Sequence, residues 1–126
     1  MVSSSQRYKD AIEPATETVT GLVEKILSVD ARTWFDKNSA ERLAKALTET
    51  YNDEERTDDL KDVEPIRRIP GVIAEEMHDA GLGILVEYND AGLPESVMYD
   101  RLGAMLLPVV RDLRDRITEL ERLNNE

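Results

Sequence analysis

A serine followed five residues later by a lysine is the first feature of this chain that could do chemistry. Ser4 precedes Lys9 in the polar opening of the chain, and Arg7 lies between them. A serine hydroxyl becomes a nucleophile when a base takes its proton, and a lysine serves as that base only after losing its own. The ordinary lysine pKa of about 10.4 opposes this loss unless burial or nearby positive charge lowers it. Such pairs are also common in flexible polar tails that carry no chemistry.

The lone histidine, His78, is a second candidate, because it lies among acidic residues. A zinc or iron site usually needs several nitrogen or sulfur ligands in fixed positions. We therefore expect a solvated histidine late in a helix and predict no metal and no cofactor. The sequence contains no cysteine, which excludes thiolate catalysis and disulfides, and it shows no phosphate-binding glycine loop and no nucleophile elbow.

Length and composition indicate one small, acidic domain. The chain has 126 residues, which suits a single core, and its 40% hydrophobic residues include only 5% aromatic residues, so the core should be aliphatic. A formal net charge of −11 disfavours nucleic acid and anionic membrane surfaces as partners. No stretch resembles a signal peptide or a membrane span, so we expect a product that is soluble and cytoplasmic when made.

The first half of the chain predicts two helices and a short strand that would position these residues. Pro14 and Thr16 are start signals for a helix in which Gly21 is tolerated. Its apolar residues recur at helical spacing: Val19, Leu22, Val23, Ile26 and Leu27. Residues 31–36 predict a short strand with Trp34 buried.

A second helix should begin at a cap on Asn38 or Ser39. Its apolar face would hold Leu43, Ala44, Leu47 and Tyr51. The charged run 52–62 that follows predicts a solvated loop.

Turn formers divide the next part of the chain. Residues 69–77 predict a turn into a short helix that ends at Gly81, because glycine tolerates the left-handed conformation. Two β-prone runs flank the turn-forming cluster 89–94, which predicts a β-hairpin within residues 85–99.

The end of the chain predicts a long amphipathic helix from Tyr99 to Leu123. Its apolar stripe comprises Leu102, Leu106, Val109, Leu113, Ile117, Leu120 and Leu123. The spacing breaks strict heptads between Leu113 and Ile117, which suits a straight bundle as well as a coiled coil. Pro108 should kink the helix or mark a fresh start. The stripe either packs on its own domain or meets a partner helix, and the sequence leaves both open.

Charged residues of both signs cover the rest of this helix. Asp112, Asp115, Glu119 and Glu121 alternate with Arg111, Arg114, Arg116 and Arg122. Such pairs are weak individually and set specificity more than stability.

Four segments occur in an order that resembles the self-cleaving chaperone domain at the C-terminus of phage endosialidases, tail fibres and neck appendages. Residues 4–12 are similar to that family's opening motif S-D-x-R-x-K-x-x-I, with Ser5 in place of aspartate. Residues 32–37 resemble an aromatic-containing strand, and residues 71–77 resemble the segment G-F-I-A-E-E-V. Residues 86–99 are close to V-x-Y-D-x-x-G-x-P-x-x-V-x-Y. The histidine often found just before the G-F-I-A segment is replaced by Ile69 or Pro70.

The resemblance implies a homotrimer that folds an upstream β-structured fibre in the host cytoplasm and then releases itself. It implies cleavage after Ser4, at the Ser4–Ser5 bond, with Ser4 as nucleophile, Lys9 as its activator and Arg7 in support. The chain would then be a single-turnover serine endopeptidase. Its parts would be a lead-in at 1–13, a body at 14–98 and an oligomerisation helix at 99–126.

The expected fold is therefore α+β and mostly helical, with a small hairpin, short strands and a long C-terminal helix in a trimeric bundle or coiled coil. Two alternatives stay open. One is a trimeric assembly domain that does not cleave itself. The other is an unrelated acidic helical adaptor or inhibitor.

Overall fold

The computed structural model describes residues 4–52 and 66–126, and the chain divides into two compact units. The first unit joins Met1–Asp30 to Ile73–Glu126, and the second is Ala31–Val72. The class is α+β with a long C-terminal helix, as predicted, and the described chain contains two small antiparallel sheets. The predicted charged loop at 52–62 lies, beyond Asn52, outside the described residues.

The first unit opens with two short helices in place of the single helix predicted. Helix α1 is Ala15–Thr18 and α2 is Leu22–Leu27. Gly21, which was predicted to lie within one continuous helix, adopts a left-handed φ of 70° just before α2 and separates α1 from α2. The interruption leaves Val19, Leu22 and Val23 buried.

The remainder of the first unit contains a short helix, a hairpin and the long helix. Helix α4 is Ala74–Asp79, and the chain turns after it at Gly81, whose φ of 82° confirms the predicted helix end. Strands β3, Val86–Tyr88, and β4, Pro94–Val97, form the predicted hairpin. The amide of Met98 donates to the carbonyl of Leu85, which extends the hairpin to the start of the long helix.

Helix α5 spans Tyr99–Asn124 without interruption. Pro108 lies inside it, so the predicted fresh start at this residue is wrong. The proline ring removes one backbone donor from a helix that is long enough to keep its other hydrogen bonds on both sides.

Among the described residues, the core is aliphatic and lies wholly in the first unit. Leu22, Met77, Leu82 and Leu85 are almost completely inaccessible to solvent. Methionine and leucine fill the space that aromatic residues would occupy in a core with more aromatic residues, as the composition predicts.

The second unit contains a two-stranded sheet and a helix. Strands β1, Arg32–Trp34, and β2, Ile69–Gly71, pair antiparallel. Helix α3 is Lys37–Asn52. Its cap is Asp36, whose Oδ1 accepts a hydrogen bond of 2.8 Å from the Asn38 amide, so Asn38 and Ser39 are not the caps.

The aromatic residues of the second unit are less buried than predicted. Trp34 is half-buried on β1, so the prediction that it is a core residue is wrong. Phe35 is exposed, and the Arg68 guanidinium lies over its ring at 4.6 Å.

Candidate assembly surface and cleavage segment

The segment predicted to carry the cleavage chemistry is an exposed single turn of 3₁₀ helix. The turn is Gln6–Tyr8, with Ser4 and Ser5 before it and Lys9 after it. The amide of Tyr8 donates to the Ser5 carbonyl at 3.1 Å, and the chain extends again at Lys9. The turn therefore lies between the predicted nucleophile and its predicted activator, and both side chains are exposed.

Arg7, predicted to support the lysine, contacts a different neighbour. Its guanidinium carbon lies 4.8 Å from the centre of the Tyr8 ring, a cation–π arrangement. A lysine that acts as a base needs burial or adjacent positive charge. The exposed position of Lys9 supplies no burial, so the catalytic roles of Ser4 and Lys9 stay predictions.

Helix α5 has one face directed at its own unit. It contacts α1, α2 and the 3₁₀ turn Gly83–Leu85. Val109 is only 5% exposed on this face, and Leu102 and Met105 are half-buried. We call these three residues the inner face. Leu102 and Val109, predicted to contact a partner, therefore serve the helix's own unit.

Arg116 lies at the place where α5 contacts α2. Its Nη2 is 3.4 Å from Glu24 Oε1, and its Nε is 2.8 Å from Asp112 Oδ2, one helical turn earlier. The second contact is an ion pair without hydrogen-bond alignment, because Asp112 Oδ2 accepts no hydrogen bond in the described chain. Two carboxylates therefore hold the guanidinium at the border of the inner face.

Next to the inner face, α5 carries an apolar stripe that faces solvent. It consists of Leu106, Val110, Leu113, Ile117 and Leu120, which we call the outer face. Their side chains are between 42% and 64% exposed. Val110, the most exposed of them, replaces Val109 in the predicted stripe. Leu123, the last predicted member, is also exposed.

A shallow, open groove, lined by residues of α5 alone, follows this outer face. Val110, Leu113 and Ile117 contribute its apolar part, and Arg114 and Glu121 border it. The outer face extends from Leu106 to Leu120, and an apolar stripe of this length on a helix normally lies against another element.

His78 is exposed in the last turn of α4, as predicted, but it has a specific partner. Its Nδ1 lies 2.7 Å from the Tyr88 hydroxyl, and the two rings meet edge to face. The hydroxyl also lies so close to Gly83 that an added Cβ there would come within 2.9 Å of it. His78 thus joins α4 to β3. From the sequence alone, this contact could have been found only by pairing His78 with Tyr88, which lies ten residues later.

The described residues give two further results. They contain no group of three or more histidine, cysteine, aspartate or glutamate side chains arranged to hold a metal ion. No helix within the described ranges has both the length and the apolar character needed to cross a bilayer.

Comparisons with known proteins add no relative. No protein-family model, no curated protein and no solved structure matches this chain.

Proposed function

We propose that this chain is an assembly domain that associates with copies of itself through the outer face of α5. The observation that carries the proposal is the division of one helix into two apolar faces. Val109 is buried in its own unit, whereas its neighbour Val110 is 64% exposed. A helix already packed by one face gains nothing within its own unit from a second apolar stripe. A partner would remove that stripe from water, which is favourable at about 25 cal/mol per Å².

The ordered motifs support a phage fibre as the context of this assembly. In that context the domain lies downstream of a β-structured fibre, aligns three chains in the host cytoplasm and assists the folding of the segment before it. Pairing strands from separate chains is slow and prone to aggregation until the chains are held together. A clamp formed by α5 would lower that barrier.

Self-release belongs to the same proposal. The cut would fall at the Ser4–Ser5 bond, with Ser4 as nucleophile and Lys9 as activator. The segment is exposed and lies ahead of the first helix, so cleavage would leave the first unit's core intact. Because Lys9 is exposed in the single chain, its action as activator would depend on burial in the assembled state or against the upstream segment.

Native and denaturing mass spectrometry of the chain fused behind its natural upstream segment tests the proposal. We expect a homo-oligomer whose released domain begins at Ser5. Ser4→Ala should abolish cleavage and leave the oligomer intact, while the matched variant Ser5→Ala should still be cut. An uncut oligomer would leave an assembly domain without chemistry. A monomer at micromolar concentration would contradict the proposal.

A further inference from the structure

The outer face of α5 follows a strict heptad spacing. From Leu106 the steps to Val110, Leu113, Ile117 and Leu120 are four, three, four and three residues. This assigns the leucines to position d and the β-branched residues to position a of a left-handed coiled coil. The irregular spacing seen in the sequence came from combining Leu102, Val109 and Leu123, which fall at position g of this repeat, with outer-face residues.

The charge of α5 suits contact with a second copy of itself. The helix carries five arginines and five acidic residues, so it is neutral, and the whole net charge of −11 comes from the rest of the chain. Two acidic chains repel each other, and this repulsion is smallest between segments that carry no net charge. A basic partner would instead be attracted to the acidic remainder of the surface.

Two charged residues flank the outer face on opposite sides. Heptad assignment places Arg116 at position g and Glu121 at position e. Arg116 is held at its place by Asp112 and Glu24. Glu121 borders the groove, and no ion pair is found for its side chain in the described chain. An acidic residue beside an apolar seam is thus left to pair with a residue outside its own chain.

We infer that the partner is another copy of this chain, lying parallel and in register, with Arg116 of one copy paired to Glu121 of its neighbour. In a parallel coiled coil, position g of one helix meets position e of the other five residues further on, and 116 and 121 differ by five. In an antiparallel pair with the apolar layers aligned, Arg116 would face Arg116 and Arg114 would face Arg114. Charge therefore selects the parallel arrangement. The inference rests on the proposed self-association and adds its orientation, its register and its specificity residues.

A cysteine cross-link tests the orientation of the two helices without interference from other thiols, because the chain contains no cysteine. Asn124→Cys places a thiol at position a of the last turn, where parallel copies bring the two sulfurs together. In the antiparallel alignment residue 124 lies opposite residue 106, so the two thiols are about 27 Å apart. Oxidation should give a covalent dimer for Asn124→Cys. The control Asp115→Cys, on the side away from the seam, should remain uncross-linked.

Charge reversal tests the pair itself. Glu121→Arg should weaken association about two- to ten-fold, since each exposed pair contributes little and each copy takes part in two such pairs. Adding Arg116→Glu should restore the affinity. Glu119→Arg changes the net charge equally but lies away from the seam, so it should not produce the same loss. Analytical ultracentrifugation over a concentration series measures all four proteins.

The outcomes separate this inference from the proposed function. Oligomers in which Asn124→Cys fails to cross-link, or in which the double reversal fails to rescue, overturn the inference and leave self-association standing. A chain that remains monomeric overturns both. Cross-linking at residue 124 together with rescue by the double reversal supports both.

Discussion

Glu24 Oε1 on α2 lies 3.4 Å from Arg116 Nη2 on α5, so the pair connects residues 92 positions apart in the chain. Both side chains are more than half exposed, and a pair of this kind stabilises a fold by at most about 1 kcal/mol. The apolar contact beside it, at Val109, contributes more. The ion pair therefore marks the alignment of α5 on α2, and burial supplies most of the energy.

Two adjacent valines should respond differently to the same truncation. Val109→Ala should lower the free energy of unfolding by about 1.5–3 kcal/mol, because it removes buried methyl groups. Val110→Ala should change it by no more than about 0.5 kcal/mol in the single chain, because its side chain is exposed. Urea denaturation at a concentration that keeps the chain monomeric compares the two. Equal losses would contradict the division of α5 into two faces.

Leu113→Asp should separate assembly from folding. Leu113 is 42% exposed in the single chain, so a carboxylate there remains hydrated and the helix persists. In an assembly the same carboxylate would be buried without a partner, which is strongly unfavourable. Native mass spectrometry should show monomers, and circular dichroism should show unchanged helix content. An oligomer that survives this substitution would place the contact surface elsewhere.

Two glycines should give opposite results when changed to alanine. Gly21→Ala should destabilise the fold by about 1–2 kcal/mol, because a left-handed φ of 70° is unfavourable for alanine, even though no atom would clash with the added Cβ. Gly103→Ala should raise the free energy of unfolding by about 0.5–1 kcal/mol, because alanine favours a helix interior and the added Cβ meets no atom within 4 Å. Thermal denaturation of both variants tests the signs.

Arg122 should determine the titration of Glu119. Hydrogen bonds from Arg122 hold the pKa of the Glu119 carboxyl below its ordinary value of 4.5, and the small burial of the group opposes this shift. A lowered pKa means that the pair stabilises the folded chain above 4.5 and that this contribution disappears as the pH falls through the lowered value. Carbon-detected NMR should show Glu119 titrating below 4.5. In Arg122→Gln its midpoint should rise, and an unchanged midpoint would contradict this assignment.

Salt should strengthen self-association. Each copy carries a formal net charge of −11, so electrostatic repulsion opposes association. Added salt screens this repulsion, with a Debye length of about 10 Å at 0.1 M. Sedimentation at increasing sodium chloride should therefore show a falling dissociation constant. The Arg116 to Glu121 pairs weaken under the same conditions, but they are few compared with the excess of acidic residues. Dissociation by salt would show that ion pairs dominate the contact.

The elements predicted correctly are those with local signals. The hairpin follows from the turn formers around Gly92, and the end of α4 follows from Gly81, because each depends on residues adjacent in sequence. The pairing of β1 with β2 was missed because Thr33 and Pro70 are far apart in sequence. The Gly21 break was missed because helical spacing continues through it.

The candidate surface was predicted only in part for a similar physical reason. The spacing of apolar residues shows at which angle around the helix axis each of them lies. It does not show which of two neighbouring angles faces the helix's own unit. Val109 and Val110 differ by one position, and only the contact with α2 and the turn Gly83–Leu85 separates them. For Ser4 and Lys9 the sequence could suggest roles, but the burial that would permit them depends on tertiary or quaternary contacts.

The packing of α2 against α5 has a consequence for synthesis. Among the described elements α5 emerges last from the ribosome, whereas Leu22 and Val23 emerge early and are buried only in the finished first unit. At roughly 5–20 residues per second, α2 waits several seconds for the helix that it contacts. The first unit therefore completes its fold only after α5 has been synthesised. A ribosome that stalls before Tyr99 would release a chain with exposed aliphatic residues, which chaperones and proteases recognise.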